Sequence, residues 1–222
     1  MEPSRSVHLL YLLNTLTRSH PNISQIATIV ADIFVFSYPV LLVGWYIKGM
    51  RDAQSDPSSK SDFKYLALNV FATVVITVMI NIILQHIFPK DRPMFSHLER
   101  MHHIPTLLKE LPSASFPSDH AGVGMAMAFA AWFHSNTKTT KYIAYALLGT
   151  AILMSVARVA TGVHRPTDIL AGRWVALCVA RLIAQPQSQH ILRTYIYRRL
   201  IWVEVRSIQY LGWYNRKSPS VR

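Results

Sequence analysis

Apolar runs long enough to cross a bilayer alternate with short polar segments through most of the chain. A span needs about 20 mostly apolar residues to cross a hydrocarbon core about 30 Å thick. That criterion places spans near 25–47, 65–88, 119–134, 142–163 and 167–185, the third being short. Segment 7–16, VHLLYLLNTL, is apolar but brief and flanked by Arg5 and Arg18, the pattern of a helix lying in the interface. Met1-Glu2-Pro3 supplies no basic n-region and no small-residue cleavage site follows, so this segment does not read as a signal peptide. The expected fold is all-α: a polytopic membrane helix bundle of about five spans, or six, with an N-terminal interfacial helix. No long soluble insert interrupts it, so one membrane domain is expected over 1–222. Its parts are an interfacial helix at 1–22, a catalytic span bundle at 23–188 and a basic, aromatic tail at 189–222.

Composition agrees with that reading. Of the 222 residues, 51% are hydrophobic, while the formal net charge is +12. Such a charge often signals nucleic acid, but here the basic residues fall in loops and tails between apolar runs. A bilayer with anionic lipids is the expected partner, and nucleic acid is not. Lys48, Arg51, Lys60 and Lys64 follow the first span, Lys138 and Lys141 sit in the 135–141 loop, and the tail is basic throughout. Positive-inside bias puts these three segments in the cytoplasm. Loops 89–118 and 164–166 then face the opposite side with the N-terminus. The expected location is the bacterial inner membrane, with those loops toward the periplasm or exterior. The lone Cys178 allows no intramolecular disulfide.

Those exterior span ends carry three charged clusters. Lys90-Asp91-Arg92-Pro93 closes the second span, Phe116-Pro117-Ser118-Asp119-His120 opens the third, and Arg158, His164 and Asp168 link the fourth and fifth. Arg158 has no other charge in AILMSVARVATGV, so it needs a partner or an anion, unless it snorkels to the span end. Asp168, four residues after His164, lies within reach of one imidazole nitrogen if the turn is helical. A hydrogen bond there fixes the tautomer and leaves the other nitrogen nucleophilic. Asp168 also suits the N-cap of the fifth span. Ser118 either caps the third span or joins its first amides around an oxyanion. His120 offers an acid to a leaving oxygen, or is a capped interfacial histidine. Arg173 reads as structural, paired with Asp168.

The loop 89–118 also holds His97, His102 and His103. They include no helical His-x3-His pair, so no metal site is expected.

The order and spacing of KDRP at 90–93, FPSDH at 116–120 and R-x5-H-x3-D at 158–168 resemble the type 2 phosphatidic acid phosphatase superfamily. The short chain and the FPKDRP and FPSDH runs are most similar to its bacterial undecaprenyl-diphosphatase branch. The resemblance implies hydrolysis of undecaprenyl diphosphate through a phosphohistidine on His164. It also implies recycling of the cell-wall carrier lipid, bacitracin resistance and no cofactor. Asp168 then orients His164 and His120 protonates the leaving group. Lys90, Arg92, Ser118 and Arg158 hold phosphoryl oxygens, with Asp119, His103 and Arg165 as auxiliaries. Two positions depart from the family pattern. Gln85 stands where a lysine is usual, seven residues before Arg92, and Ala157 stands where a serine is usual. Lys90 is the candidate substitute for the missing lysine. Other lipid phosphates, namely phosphatidylglycerophosphate, phosphatidate and lipid A, are the alternative substrates. A transporter using Arg158, Arg173 and Asp168 without chemistry is a remote one.

Overall fold

The computed structural model describes residues 5–55, 62–96 and 104–210, and among these no strand forms. The helices are α1 (Arg5–Arg18), α2 (Pro21–Asp32), α3 (Ser37–Ser55), α4 (Asp62–Ile87), α5 (Asp119–Phe133), α6 (Lys138–Ala160), α7 (Pro166–Ile183), α8 (Pro186–Ile191) and α9 (Arg198–Tyr210). The chain divides into two compact units, Met1–Arg181 and Leu182–Arg222. The second unit comprises α8, a π-helical turn at Leu192–Tyr197 and α9. On α9, Trp202 and Val203 are exposed and Arg206 stacks over the Trp202 ring. The tail residues Trp213 and Tyr214 lie outside the described residues.

Polarity in the first unit is inverted relative to a water-soluble bundle. On α4, Asn69, Thr73, Thr77 and Asn81 recur every four residues and are buried, whereas Phe71, Met79, Ile82 and Ile83 are exposed. Residues four apart share a helix face. The inward side of α4 therefore carries a polar stripe beside buried Leu66, Ala67 and Val70, while its outward face is apolar, as hydrocarbon surroundings favour. Pro21–Asp52, Phe63–Ile87 and Lys138–Ala160 are long and apolar enough to cross a membrane. The chain is a helical membrane bundle.

Two expected spans take different forms. α5 has 15 residues, which rise about 22 Å and fall short of the hydrocarbon thickness. It sits at the centre instead, with Ala121, Gly122, Gly124, Ala126, Ala128 and Ala130 buried. These small side chains let α4 and α6 close on it. The run 25–47 is not one helix either, because a 3-10 turn at Phe34–Phe36 divides it into α2 and α3. This break leaves Asp32 at the C-terminal end of α2, fully buried. α1 docks by one face: Leu10 packs with Ala121, Val159 and Ile169, and Asn14 donates to the Ala160 carbonyl at 3.1 Å. Its opposite face exposes Leu9, Leu12 and Leu16, consistent with the interfacial expectation.

Candidate active site

Backbone pairing brings the three motifs together. Lys90 N–H donates to the Ser113 carbonyl and Ser115 N–H to the Lys90 carbonyl, both at 3.0 Å, and Arg92 N–H donates to Pro112 at 2.8 Å. Met94 N–H then reaches the Gly162 carbonyl at 3.0 Å. Gly162 has φ of 74°, a left-handed conformation that a side chain disfavours. The reversal it makes after α6 returns the His164 N–H to the Arg158 carbonyl at 3.2 Å. Ser118 N–H donates to the Asp168 carbonyl at 3.1 Å, which fixes the start of α5 against α7. A Cβ at Gly172 would lie 2.5 Å from the Ser118 carbonyl, so this approach needs glycine.

His164 lies at the centre of the assembly with 1% of its surface exposed. Its Nε2 faces Arg92 Nη1 at 2.9 Å and Arg158 Nη2 at 3.2 Å. A guanidinium can only donate, so Nε2 carries the lone pair. Nδ1 lies 2.9 Å from the Ser115 backbone carbonyl, which can only accept, so Nδ1 carries the proton. Burial pushes the His164 imidazole well below the usual histidine value of about 6.5. Arg158, Arg92 and His120 act in the same direction, and the Ser115 carbonyl opposes them. The arrangement holds a neutral imidazole with its nucleophilic nitrogen between two cations.

Both cations have carboxylate partners. Arg158 Nη1 pairs with Asp32 Oδ1 at 2.9 Å and with Glu110 Oε1 at 2.7 Å. Arg92 Nη2 pairs with Glu110 Oε2 at 2.8 Å, and Arg92 Nε donates to the Leu111 carbonyl at 2.9 Å. The other Asp32 oxygen accepts from Leu107 N–H at 2.6 Å and Leu108 N–H at 3.3 Å, which ties α2 to the loop before α5.

Asp168 does not touch His164. Its carboxylate accepts from Ser115 Oγ at 2.7 Å, from Lys90 Nζ at 2.7 Å and from the Arg165 N–H at 3.0 Å. The expected direct bond gives way because Ser115 occupies the space between them, offering its carbonyl to the imidazole and its hydroxyl to Asp168. Lys90 is likewise held beside Asp168, 5.4 Å over the Phe116 ring, rather than at Nε2. Arg173 makes no ion pair with Asp168, and its Nε is buried without a hydrogen-bond partner.

The remaining expected residues fall around this centre. Ser118 is the N-cap of α5, accepting from Ala121 N–H at 3.5 Å. His120 lies in the first turn with Nε2 buried and unbonded among the described residues. Asp119 Oδ2 accepts from Gln85 Nε2 at 2.9 Å, and the same Gln85 amide donates to the Pro117 carbonyl at 3.0 Å. Arg165 Nη1 donates to the Asp91 carbonyl at 2.6 Å. His103 lies outside the described residues, as do His97 and His102.

Sequence reasoning missed Asp32, Glu110 and Ser115. The argument that singled out Arg158 applies equally to Asp32, the sole acidic residue between Pro21 and Met50. Taken together, the two lone charges in apolar runs suggest each other as partners. Glu110 and Ser115 gave no comparable signal, since their roles depend on how the loop folds.

The described residues contain no group of three or more His, Cys, Asp or Glu side chains placed to hold a metal ion.

The chain is similar to known proteins in sequence and in fold. The putative undecaprenyl-diphosphatase YbjG of Escherichia coli (strain K12) is 26% identical over 169 residues, covering 75% of each chain. Undecaprenyl-diphosphatase BcrC of Bacillus subtilis (strain 168) is 24% identical over 166 residues, covering 74% of this chain and 76% of that one. The crystal structure of Aquifex aeolicus LpxE superposes with a TM-score of 0.54 at 19% identity, covering 82% of this chain and 95% of that one, and shows a shared fold. The PAP2 superfamily profile matches residues 66–191, which hold all three motifs but not Asp32. The chain belongs to the PAP2 superfamily.

Proposed function

We propose that this membrane phosphatase hydrolyses undecaprenyl diphosphate to undecaprenyl phosphate and phosphate. The observation that carries the reading is the unprotonated Nε2 of His164 set between the guanidiniums of Arg92 and Arg158. The names of the two curated relatives support the choice of lipid.

In this reading Nε2 attacks the terminal phosphorus while the bridging P–O bond breaks, leaving undecaprenyl phosphate and a phosphohistidine. Phosphoryl transfer mainly requires in-line placement and charge neutralisation, and the two arginines supply the latter. His120, whose Nε2 is unbonded among the described residues, is the group assigned to protonate the departing oxygen; burial, Arg158 and Arg92 keep it neutral at rest, so it takes up that proton as the anionic headgroup binds. Ser118 lends the amides of the α5 start to the phosphoryl oxygens. Water then attacks the phosphohistidine, releasing phosphate and restoring the free imidazole. Lys90 and Asp168 act through Ser115, and Asp119 and Arg165 brace the loops around the centre. The site faces the periplasm or exterior, as the basic segments 48–64, 135–141 and 190–222 favour.

Rapid-quench trapping tests the chemistry. Labelled undecaprenyl diphosphate should leave an acid-labile phosphoenzyme on wild type and none on His164→Ala. A purified panel adding phosphatidylglycerophosphate, phosphatidate and lipid A tests the substrate. Faster turnover of any of these than of the diphosphate would displace the proposed lipid.

A further inference from the structure

The carboxylate of Glu110 occupies the place a phosphoryl group requires. Its two oxygens bridge the two arginines, Oε2 to Arg92 at 2.8 Å and Oε1 to Arg158 at 2.7 Å, and the side chain is only 7% exposed. Both arginines also contact Nε2 of His164. An anion bound between these guanidiniums therefore sits beside the nucleophile, and a planar carboxylate holds that seat at rest. Guanidiniums attract carboxylate and phosphate oxygens alike, so the two anions compete for one pair of cations.

We propose that Glu110 is a resident competitor for the phosphoryl seat, displaced by the substrate headgroup, so that every headgroup binds against the same carboxylate. The inference rests on the phosphatase reading above.

Two further observations support displacement over permanent clamping. The loop backbone around Glu110 is secured independently of its side chain, through Asp32 to Leu107 and Leu108 and through Arg92 Nε to Leu111. The side chain is therefore free to leave without unfolding the loop. It also has somewhere to go, because Glu110 lines an open cleft of about 600 Å³ walled by Met94, Phe95, Pro105, Leu107 and Lys109. The cost of displacement is a property of the protein, so it weakens orthophosphate and a diphosphate by one common factor.

Calorimetry on the purified full-length chain tests the exchange, with orthophosphate and methylenediphosphonate as probes. Glu110→Gln keeps the shape and removes the charge. It should tighten orthophosphate and methylenediphosphonate alike, by about tenfold each. Equal or weaker binding of both probes in Glu110→Gln would overturn the inference and make Glu110 a fixed brace. Carbodiimide footprinting of wild type supplies a readout independent of any variant. Saturating methylenediphosphonate should increase labelling of Glu110 as it swings into the cleft, and unchanged or reduced labelling would overturn the exchange. Failure of wild type to bind either probe would sink the phosphatase reading and the inference together. Binding that weakens in Glu110→Gln alongside intact phosphoenzyme trapping would sink the exchange alone.

Discussion

The imidazole of His164 donates its Nδ1 proton to the backbone carbonyl of Ser115, 2.9 Å away. Asp168 meets the same residue through its hydroxyl, at 2.7 Å. Carboxylate and imidazole are thus coupled through one residue rather than one bond. Ser115→Ala should lower kcat about tenfold, as losses of outer-shell partners commonly do, with little change in KM. Its effect should not add to that of Asp168→Ala, because both remove the same link. A double-mutant cycle on kcat checks this, and fully additive losses would show that Asp168 acts by another route.

Asp32 and Arg158 form a pair with side chains 0% and 1% exposed. Removing one member strands the other, at a cost of about 3–5 kcal/mol. Asp32→Ala should therefore lower the thermal midpoint markedly and reduce turnover as Arg158 loses its anchor. Asp32→Leu with Arg158→Met should recover much of the stability and none of the activity. Thermal unfolding in detergent beside a lipid turnover assay separates the two effects.

The acid side of the pH profile follows from the state of His164. Burial, Arg158, Arg92 and His120 all disfavour the imidazolium, so the folded-state value lies well below the usual one. The nucleophilic free base persists as pH falls through about 6.5, the value for an unperturbed histidine. On kcat/KM, which reports the free enzyme, the histidine limb should lie below that pH. Arg92→Gln removes one of the charges and should move the limb upward. A limb already above pH 6.5 in wild type, shifting with His164 environment mutants, would contradict the electrostatic picture.

Gln85 and Lys90 have separate tasks. Gln85 steadies the approach to α5 through Pro117 and Asp119, while Lys90 neutralises Asp168. Each alanine variant should slow phosphate release about tenfold. Lys90→Ala should be non-additive with Asp168→Ala, whereas Gln85→Ala should add to both. Steady-state kinetics of the three single and three double variants distinguishes this from a lysine that simply replaces the one missing at position 85.

The bundle and the motif residues were legible because they follow from periodicity and motif spacing. Lone charges in apolar runs must find partners, and His164, Arg158 and Arg92 do converge. What was not legible depends on loop folding. Segment 112–115 pairs with 90–92, and only that pairing inserts Ser115 between His164 and Asp168. Glu110 likewise reaches the arginines only because Asp32 and Arg92 hold the flanking backbone. The break at 34–36 was hidden because Phe34, Val35 and Phe36 continue the apolar run without a proline or glycine to mark it.

In the resting site Lys90, Arg92 and Arg158 are matched by Asp168, Glu110 and Asp32. Despite the chain's formal charge of +12, these six groups sum to zero and project little field beyond their own contacts. At physiological ionic strength, fields from exposed charges already fade within about 8 Å. Substrate capture is therefore not a matter of long-range steering, which would make association fall steeply with added salt. A lipid headgroup should then be recognised at contact distance, once lateral diffusion in the bilayer has delivered it. Varying sodium chloride between dilute and physiological levels should leave kcat/KM within about twofold, and a steep decline would reveal an attracting potential elsewhere on the protein surface.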